Sequence, residues 1–436
     1  MPTAEARASE GDSAGKESGA SGVAGAGQGS GHSRPAPPLL RTHEEAVAKA
    51  REVADELAVG AAERDRTGGV PWEALALLDG SGLLSITVPE RLGGPGLGIA
   101  TLGEAVRLIA SADPSLAQLL QPHSLFPIAA WELFPAHGTG QRKLADAILA
   151  GGRIGNAVAE RGGQHAQDLR VRLERDPASG ALTLRGTKYY STGAISSALV
   201  GVTAIDEDER QVLAFVPRDA PGLTIDDDWN VIGQRATVSG TTTLDGVPVD
   251  PDLVVDYQRL YEAPQTLGAR GQLVHTAIEV GIARGAIDAA AWFVREKARP
   301  FFEAVRGGWA ERAGDDPHTV YRFGQLDTQV HAAEALLAAA AAAVDAVPLR
   351  PNDERTAAEA SIAVARAKAF GSEVAVQVSS ELFALSGASA ADAKHALDRH
   401  WRNARTHSIH DPVSWKYHHI GAWGIGGVIP PNHGQL

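Results

Sequence analysis

The 436-residue chain contains no cysteine. Disulfide bonds, a thiolate nucleophile and cysteine-ligated zinc or iron–sulfur centres are therefore excluded. Any chemistry that the protein performs must come from the oxygen and nitrogen groups of its side chains or from a bound cofactor.

Long apolar runs are also missing from the sequence. No run reaches the roughly 18 residues that a membrane-spanning helix needs, and the first residues lack the hydrophobic core of a signal peptide. Positive charge is not in excess, because 40 Lys and Arg residues face 53 Asp and Glu residues and give a net charge of −13. This balance disfavours a protein that tracks nucleic-acid phosphates. We therefore expect a cytoplasmic protein that binds neither membranes nor nucleic acids.

Composition and periodicity divide the chain into regions. Residues 1–38 consist mainly of Gly, Ser, Ala and Pro and cannot bury enough apolar surface to offset chain entropy, which predicts a disordered tail. Residues 39–150 carry apolar side chains at helical spacing, residues 151–262 contain short β-branched runs between turn residues, and residues 263–436 are again helical in pattern. The prediction is a helical domain, a β-domain and a C-terminal helical domain.

Some elements can be placed more closely. A first helix is predicted from Thr42, its N-cap, to Ala62. Long helices are predicted at 327–346 and 354–385, which suits a helical bundle. The glycine-rich run Gly421–Gly427 lacks the Lys and Ser or Thr of a phosphate loop and predicts a flexible tail segment that could close over a site.

Phrases of the sequence resemble the acyl-CoA dehydrogenase superfamily, in the order in which that superfamily has them. They are Val88–Gly94 (VPERLGG), Lys188–Gly193 (KYYSTG) and Arg399–Asp411 (RHWRNARTHSIHD). The resemblance spans about residues 42–425 and implies an α+β fold with an N-terminal helical domain, a middle β-barrel or sandwich domain and a C-terminal four-helix bundle. In the superfamily a glutamate after the arginine-rich run removes a substrate α-proton. This chain has His410 there, and an imidazole differs from a carboxylate in charge and hydrogen bonding.

The closer resemblance is to the flavin monooxygenase branch, which includes dibenzothiophene monooxygenases and sulfur-acquisition oxidoreductases. It is carried by the segments KYYSTGA, DDWNVIGQRATVSGTTTLDGVPV and RHWRNARTHSIHDPVSWKYHHIG. It implies a two-component enzyme that receives reduced FMN, or alternatively FAD, from a separate NAD(P)H:flavin reductase. The sequence has no G-x-G-x-x-G motif between a strand and a helix, so it gives no indication of a nicotinamide site. The resemblance further implies a C4a-(hydro)peroxyflavin, O₂-dependent oxygenation of a small organosulfur compound, and a homotetramer.

By this resemblance, His410, His123 and Ser191 are expected to be catalytic. His410 would orient or protonate the peroxide, His123 would enter the pocket from the first helical domain, and Ser191 would hydrogen-bond the flavin edge. The residues alone also allow a helix-capping role for His410, a surface-loop position beside proline for His123, and a strand hydroxyl for Ser191. Phe126 stands where this branch often has a pocket tyrosine, which questions the substrate-side chemistry.

The resemblance also assigns cofactor contacts, which are Asn156, Ser191, Trp229, Arg299 and His407. The first two would hydrogen-bond the ring edge, and the indole would stack near the isoalloxazine. Arg299 would reach the flavin phosphate from a neighbouring subunit, because a guanidinium binds phosphate bidentately. His407 lies three residues before His410, which predicts that the two share nearly one helix face.

Other interpretations stay open. An acyl-CoA dehydrogenase needs a carboxylate base, which Asp411 could supply if the register shifted by one, whereas the alternative segment 266–278 contains no Asp or Glu. A nitrogen-oxidising monooxygenase would share the same flavin chemistry. A helical interaction protein without flavin would leave the set of flavin contacts unexplained. No metal is expected, since the nearby group has no established ligand spacing: His407, His410, Asp411, His418 and His419.

Overall fold

The computed structural model describes residues 36–436 except residues 137, 164–167 and 352. The predicted tail at 1–38 lies outside the described residues apart from its last three positions. In the described part, helices are followed by strands and then by helices, which is the order that the sequence predicts.

The N-terminal region is helical. Its α-helices are α1 (His43–Ala58), α2 (Ala61–Thr67), α3 (Trp72–Gly80), α4 (Ile99–Ala112), α5 (Pro114–Leu133) and α6 (Thr139–Leu149). Thr42 caps α1 as predicted, because its hydroxyl accepts a 3.2 Å hydrogen bond from the Glu45 N–H. The predicted extension of this helix to Ala62 is wrong, since α1 ends at Ala58 and Gly60 adopts φ +79° before α2 begins.

Helix α5 was hidden in the sequence by its prolines. Asp113 caps its N-terminus by accepting a 3.1 Å hydrogen bond from a backbone N–H, and Pro114 occupies the first turn. Pro122 and Pro127 lie inside the helix, where each removes a backbone donor. Most α5 side chains are buried, so tertiary packing outweighs the lost hydrogen bonds. The surface loop considered for His123 is therefore wrong.

The middle region forms one mixed sheet. Its strands within the described residues are β1 (Ile154–Ala157), β2 (Arg172–Arg175), β3 (Leu182–Lys188), β4 (Leu199–Ile205), β5 (Gln211–Pro217), β6 (Leu223–Ile225), β7 (Thr242–Val249) and β8 (Val254–Asp256). The order is β6-β7-β3-β2-β4-β5-β8, with β1 beside β4. The pairs β1–β4 and β2–β4 are parallel and the other neighbours are antiparallel. The β-barrel or sandwich domain that the sequence predicts is thus a single mixed sheet of eight strands within the described residues.

The C-terminal region is helical again. Its α-helices are α7 (Leu267–Glu296), α8 (Phe302–Arg306), α9 (Pro317–Asp345), α10 (Glu354–Ser386), α11 (Asp398–His407) and α12 (Val413–Gly426). Helix α7 packs on α10, α9 and α4, and most of its residues are buried. Helix α9 begins ten residues before the predicted start, and Asp316 caps it. The prediction of a flexible tail at Gly421–Gly427 is wrong, because all but the last of these residues belong to α12, which packs on α10.

The boundaries between the regions can be compared with the predicted domains. Secondary structure changes between Leu149 and Ile154 and again between Leu260 and Leu267. Residues 36–436 nevertheless form one compact unit, so the division into three domains stays a prediction. Among the described residues, every helix is too short or too polar to cross a membrane.

Candidate active site

Among the described residues, two polar side chains on adjacent segments of the β-region each have a buried oxygen without a hydrogen-bond partner. Asn156 lies on β1 and Ser191 follows β3, and the Asn156 N–H donates to the Thr192 carbonyl at 3.0 Å. Oδ1 of Asn156 and Oγ of Ser191 are both buried without a partner among the described residues. An unpaired buried polar atom costs free energy, so the pair fits a bound group with complementary polar atoms. The edge of an isoalloxazine ring carries such atoms.

An aromatic pair borders these residues. Tyr190 precedes Ser191, is half exposed, and has φ +57°. Its ring meets the Trp229 indole edge-on, with centroids 6.1 Å apart and an interplanar angle of 82°. Non-glycine residues in this left-handed region are strained, and such strain is concentrated at functional sites.

Gln234 connects this aromatic pair to the C-terminal helices. Its backbone carbonyl accepts a 3.1 Å hydrogen bond from Nε1 of Trp229. Its side-chain Oε1 lies 3.2 Å from Nδ1 of His407, and its backbone N–H donates to Oδ1 of Asn403. Gln234 is buried and has φ +50°, so this residue too is held in a strained conformation. The β-region and α11 therefore contribute to one site.

Histidines are gathered where α7 meets the end of α11. His275 lies on α7, His407 is the last residue of α11, and His410 lies in the following turn. Nδ1 of His275 is 3.2 Å from Nε2 of His407, and the ring centroids of His275 and His410 are 4.0 Å apart. His275 and His407 are buried, whereas 46% of the His410 side chain is exposed. His407 and His410 do not share a helix, because α11 ends at His407, but their rings lie on one side as predicted, with centroids 6.4 Å apart and an interplanar angle of 17°.

His410 is paired with the residue that follows it. Nδ1 of His410 lies 3.0 Å from Oδ1 of Asp411, and Oδ2 of Asp411 lies 2.9 Å from Nζ of Lys416. Burial alone would raise the pKa of Asp411, but the His410 hydrogen bond and the positive charges of Lys368 and Lys416 hold that pKa well below its usual value. Asp411 is therefore an orienting carboxylate that receives the Nδ1–H of His410. Nε2 of His410 is left to exchange a proton.

Sequence comparisons identify the family. Residues 41–141 match the acyl-CoA dehydrogenase N-terminal domain, and residues 273–415 match the acyl-CoA dehydrogenase C-terminal domain. Dibenzothiophene monooxygenase from Rhodococcus erythropolis is 33% identical over 401 residues, which cover 88% of this chain and 94% of that protein. The chain belongs to the acyl-CoA dehydrogenase superfamily. The family predicted from the sequence is confirmed.

Other members of the acyl-CoA dehydrogenase superfamily match nearly the whole described fold. The crystal structure of FMN-bound TdsC from Paenibacillus sp. A11-2 is 30% identical, has a TM-score of 0.83, and is matched over 90% of this chain and 100% of that chain. Methanesulfinate monooxygenase MsuC from Pseudomonas fluorescens is 28% identical and has a TM-score of 0.81. The match covers 89% of this chain and 99% of that chain. The probable FMNH₂-dependent monooxygenase SfnC of Pseudomonas putida is 30% identical, with 88% of this chain and 96% of SfnC covered. These matches confirm the predicted α+β fold.

His123 has a structural position in this acyl-CoA dehydrogenase fold. It is buried on α5, where Nδ1 accepts a 3.1 Å hydrogen bond from the Ile154 N–H and Nε2 donates to the Leu84 carbonyl at 2.8 Å. Burial lowers the pKa of His123 to about 4. With both ring nitrogens occupied, this geometry gives no support to the predicted pocket role. His123 instead fixes β1 two residues before Asn156.

Arg299 is not brought to the other predicted site residues by hydrogen bonds or ion pairs. It lies exposed in the loop between α7 and α8, and within the described part of the chain it has neither kind of contact. An exposed guanidinium of this kind agrees with a contact to a neighbouring subunit. That contact stays a prediction.

An acyl-CoA dehydrogenase would need a free carboxylate base. Glu279 is a further acidic residue to consider, because it directly follows the segment 266–278 in which the sequence offered none. It is fully buried on α7, lies 2.6 Å from Nζ of Lys368, and accepts a 2.9 Å hydrogen bond from Ser372. Burial raises the pKa of Glu279 against the opposing charge of Lys368. Since cations engage both Glu279 and Asp411, the geometry disfavours the dehydrogenase interpretation.

The metal interpretation can be examined in the same way. Among the described residues, no three His, Asp or Glu side chains are grouped so that they could hold an ion. His418 and His419 instead pack around the Trp415 ring on α12.

Two residues of the site, His275 and Gln234, were not predicted from the sequence. The one local signal for His275 was a polar residue within a long apolar helix pattern.

Proposed function

We propose that this protein is a reduced-flavin-dependent monooxygenase that oxygenates a small organosulfur compound. The observation that carries the proposal is the environment of His410. Asp411 orients this imidazole and the His275 ring packs against it at a tilt of 34°, at the position where the dehydrogenase resemblance calls for a carboxylate. The named activities of the relatives, dibenzothiophene monooxygenase and methanesulfinate monooxygenase, support sulfur compounds as the substrate class.

FMN is the proposed cofactor, because TdsC has been crystallised with FMN and SfnC is named as FMNH₂-dependent. Reduced flavin, when bound, would supply the electrons that activate O₂, and we propose that O₂ would react at its C4a carbon. In this chain the unpaired polar atoms of Asn156 and Ser191 would meet the ring edge, with Trp229 beside it. FAD is the alternative flavin.

His410 would hold and move the proton that oxygen transfer requires. Because Nδ1–H is committed to Asp411, a proton can be accepted or released only at Nε2. When Nε2 is protonated, the Asp411 carboxylate compensates the charge at hydrogen-bond distance. A positioned acid–base group of this kind contributes roughly 10²- to 10⁴-fold to rate.

The proposal includes partners. A separate NAD(P)H:flavin reductase would supply reduced FMN, since the sequence offers no nicotinamide fingerprint of its own. A homotetramer would bring Arg299 of one subunit to the flavin phosphate of another. The cytoplasm is the proposed location.

Oxygen labelling tests the function directly. Anaerobic protein is mixed with photoreduced FMN and then with isotopically labelled O₂, in the presence of dibenzothiophene or methanesulfinate. One labelled oxygen in the product, dependent on both protein and reduced FMN, is expected. Bleaching of oxidised flavin by an acyl-CoA, with no label in any sulfur compound, would contradict the proposal and make Asp411 the base to test.

Nitrogen oxidation is the second candidate. L-Evernosamine nitrososynthase from Micromonospora is 28% identical over 83% of this chain, so an amine-oxidising relative exists at only slightly lower identity. The 33% identity to dibenzothiophene monooxygenase favours sulfur. The same labelling assay with an amino sugar separates the two, because the label would then appear on nitrogen.

A further inference from the structure

Gln234 fixes the direction of the hydrogen bonds in the buried part of the site. Its Nε2 donates to the Pro114 carbonyl at 3.3 Å, so Oε1 is the amide atom that faces Nδ1 of His407 at 3.2 Å. An amide oxygen only accepts, which places the hydrogen of His407 on Nδ1. Nε2 of His407 then accepts from Nδ1 of His275 at 3.2 Å. Both imidazoles are Nδ1–H tautomers.

Both buried imidazoles are also neutral. Burial lowers the pKa of His275 well below its usual value, and positive charge at His410 and Lys368 lowers it further. Burial likewise lowers the pKa of His407, followed by the charges of Lys368 and His410. The negative charge of Asp411 opposes these effects in both cases without reversing them.

His410 needs a support that its own segment does not provide. It lies in the turn between α11 and α12, and its one side-chain hydrogen bond among the described residues is the bond to Asp411. A single hydrogen bond leaves the ring free to rotate about the Nδ1–carboxylate direction. The second contact is the His275 ring, whose centroid lies 4.0 Å away at an interplanar angle of 34°. A neutral ring at this distance tolerates a positive charge on its neighbour, whereas a second imidazolium would repel it.

We propose that His275 is a positioning residue for His410: its ring packs against the His410 imidazole and holds the orientation that Asp411 sets. Gln234 and His407 act behind it by fixing the tautomer of His275. The role is independent of which substrate is oxygenated, and only its activity readout rests on the proposed function.

Two substitutions at one position separate the ring face from the hydrogen bond. His275→Phe keeps a ring against His410 but loses the donor to His407. His275→Asn keeps a donor near the Nδ1 position but loses the ring. With reduced FMN and an organosulfur substrate, we expect the share of O₂ released as H₂O₂ to rise roughly five- to tenfold in H275N. The rise in H275F should be much smaller, although Tm should fall more because the buried Nε2 of His407 loses its donor. Equal uncoupling in both variants, or stronger uncoupling in H275F, would overturn the positioning role.

A second measurement uses the protein without cofactor. In long-range proton–nitrogen spectra of protein labelled with ¹⁵N-histidine, His275 and His407 should be neutral Nδ1–H tautomers at neutral pH. The His410 signals should move or broaden in H275N and stay close to those of the parent in H275F. Nε2–H tautomers at His275 and His407, or unchanged His410 signals in H275N, would refute the inference. If these spectra are as expected and no variant oxygenates any substrate, the proposed function fails and the positioning role stands.

Discussion

Nδ1 of His410 donates a 3.0 Å hydrogen bond to Oδ1 of Asp411, and this bond determines which of the two neighbours can exchange a proton with a ligand. In the sequence the residues are adjacent, so a register shift of one position would exchange their roles. In the structure Asp411 is buried and paired with Lys416, whereas the His410 side chain is 46% exposed. This geometry supports His410 as the proposed acid–base group and Asp411 as the residue that orients it.

His410→Ala should abolish coupled oxygenation while the protein folds and binds FMN. The half-exposed ring contributes little to the core, so the change in unfolding free energy should stay within about 1 kcal/mol. Loss of the acid–base group should lower product formation by roughly 10²- to 10⁴-fold and divert O₂ to H₂O₂. Product and H₂O₂ are measured in the same reaction.

The matched control for this change is His331→Ala. His331 lies on α9 with 62% of its side chain exposed, and its removal should leave coupling unchanged. Full, coupled oxygenation by H410A would remove His410 from the chemistry.

Ser191→Ala should weaken FMN binding without destabilising the protein. Oγ of Ser191 is buried and unpaired among the described residues, so its removal costs no internal hydrogen bond. Since this hydroxyl is proposed to bond the flavin edge, the loss of about 0.5–1.5 kcal/mol should raise the Kd for FMN roughly two- to twelvefold. Fluorescence titration measures the Kd, and thermal unfolding measures Tm.

Ser379→Ala serves as the control, because it should change stability and not FMN binding, the reverse of what is expected for S191A. Ser379 is equally buried, but its Oγ donates to the Ala375 carbonyl at 2.6 Å within α10. This variant should lower Tm and leave FMN affinity unchanged. An S191A protein with lower Tm and parental FMN affinity would show that the Ser191 hydroxyl is structural.

The fully buried ion pair between Glu279 and Lys368 should behave as a unit. Glu279→Gln or Lys368→Met alone leaves a buried charge without its partner, which costs about 3–5 kcal/mol. The double variant should be less destabilised than the sum of the two single variants, with a coupling energy of about 1–3 kcal/mol. Urea unfolding of the four proteins gives the cycle. Additive effects would mean that the two charges do not stabilise each other.

Local patterns predicted the elements whose stability is local. Thr42 and the apolar stripe after it locate the start of α1, because capping and periodicity act within one turn. Helix α5 was not predicted, because Pro122 and Pro127 disfavour a helix locally. Its burial against other elements offsets the hydrogen bonds that the prolines remove.

The site divides in the same way. Ser191 and His410 lie in short sequence motifs and Asn156 was assigned by the family resemblance, and the structure gives each of them an unpaired or oriented polar group. His275 and Gln234 could not be predicted, because their partner His407 is 132 and 173 residues away in sequence. Only the fold brings these three side chains together. A sequence pattern contains no information on such a pairing when a single chain is read alone.

Acid should destabilise the protein partly through His123. Burial lowers its pKa to about 4 in the folded state, whereas an unfolded histidine titrates near about 6.5. Between these values the unfolded chain binds more protons than the folded one, so the stability due to His123 is present above about pH 6.5 and is lost as the pH falls to about 4. The shift corresponds to about 3 kcal/mol.

His123→Gln isolates this contribution, because the amide can still donate to the Leu84 carbonyl but does not titrate. We expect H123Q to be less stable than the parent near neutral pH and to approach or exceed it near about pH 4. The other buried histidines, His275, His400 and His407, titrate in both proteins and cancel in the difference. Urea unfolding across this pH range measures the two curves. Parallel curves would show that His123 has nearly the same pKa in the folded and unfolded states, so that the folded protein would bind a proton at this ring below about pH 6.5. Burial and the hydrogen bond that Nδ1 accepts from the Ile154 N–H would then not hold the ring neutral.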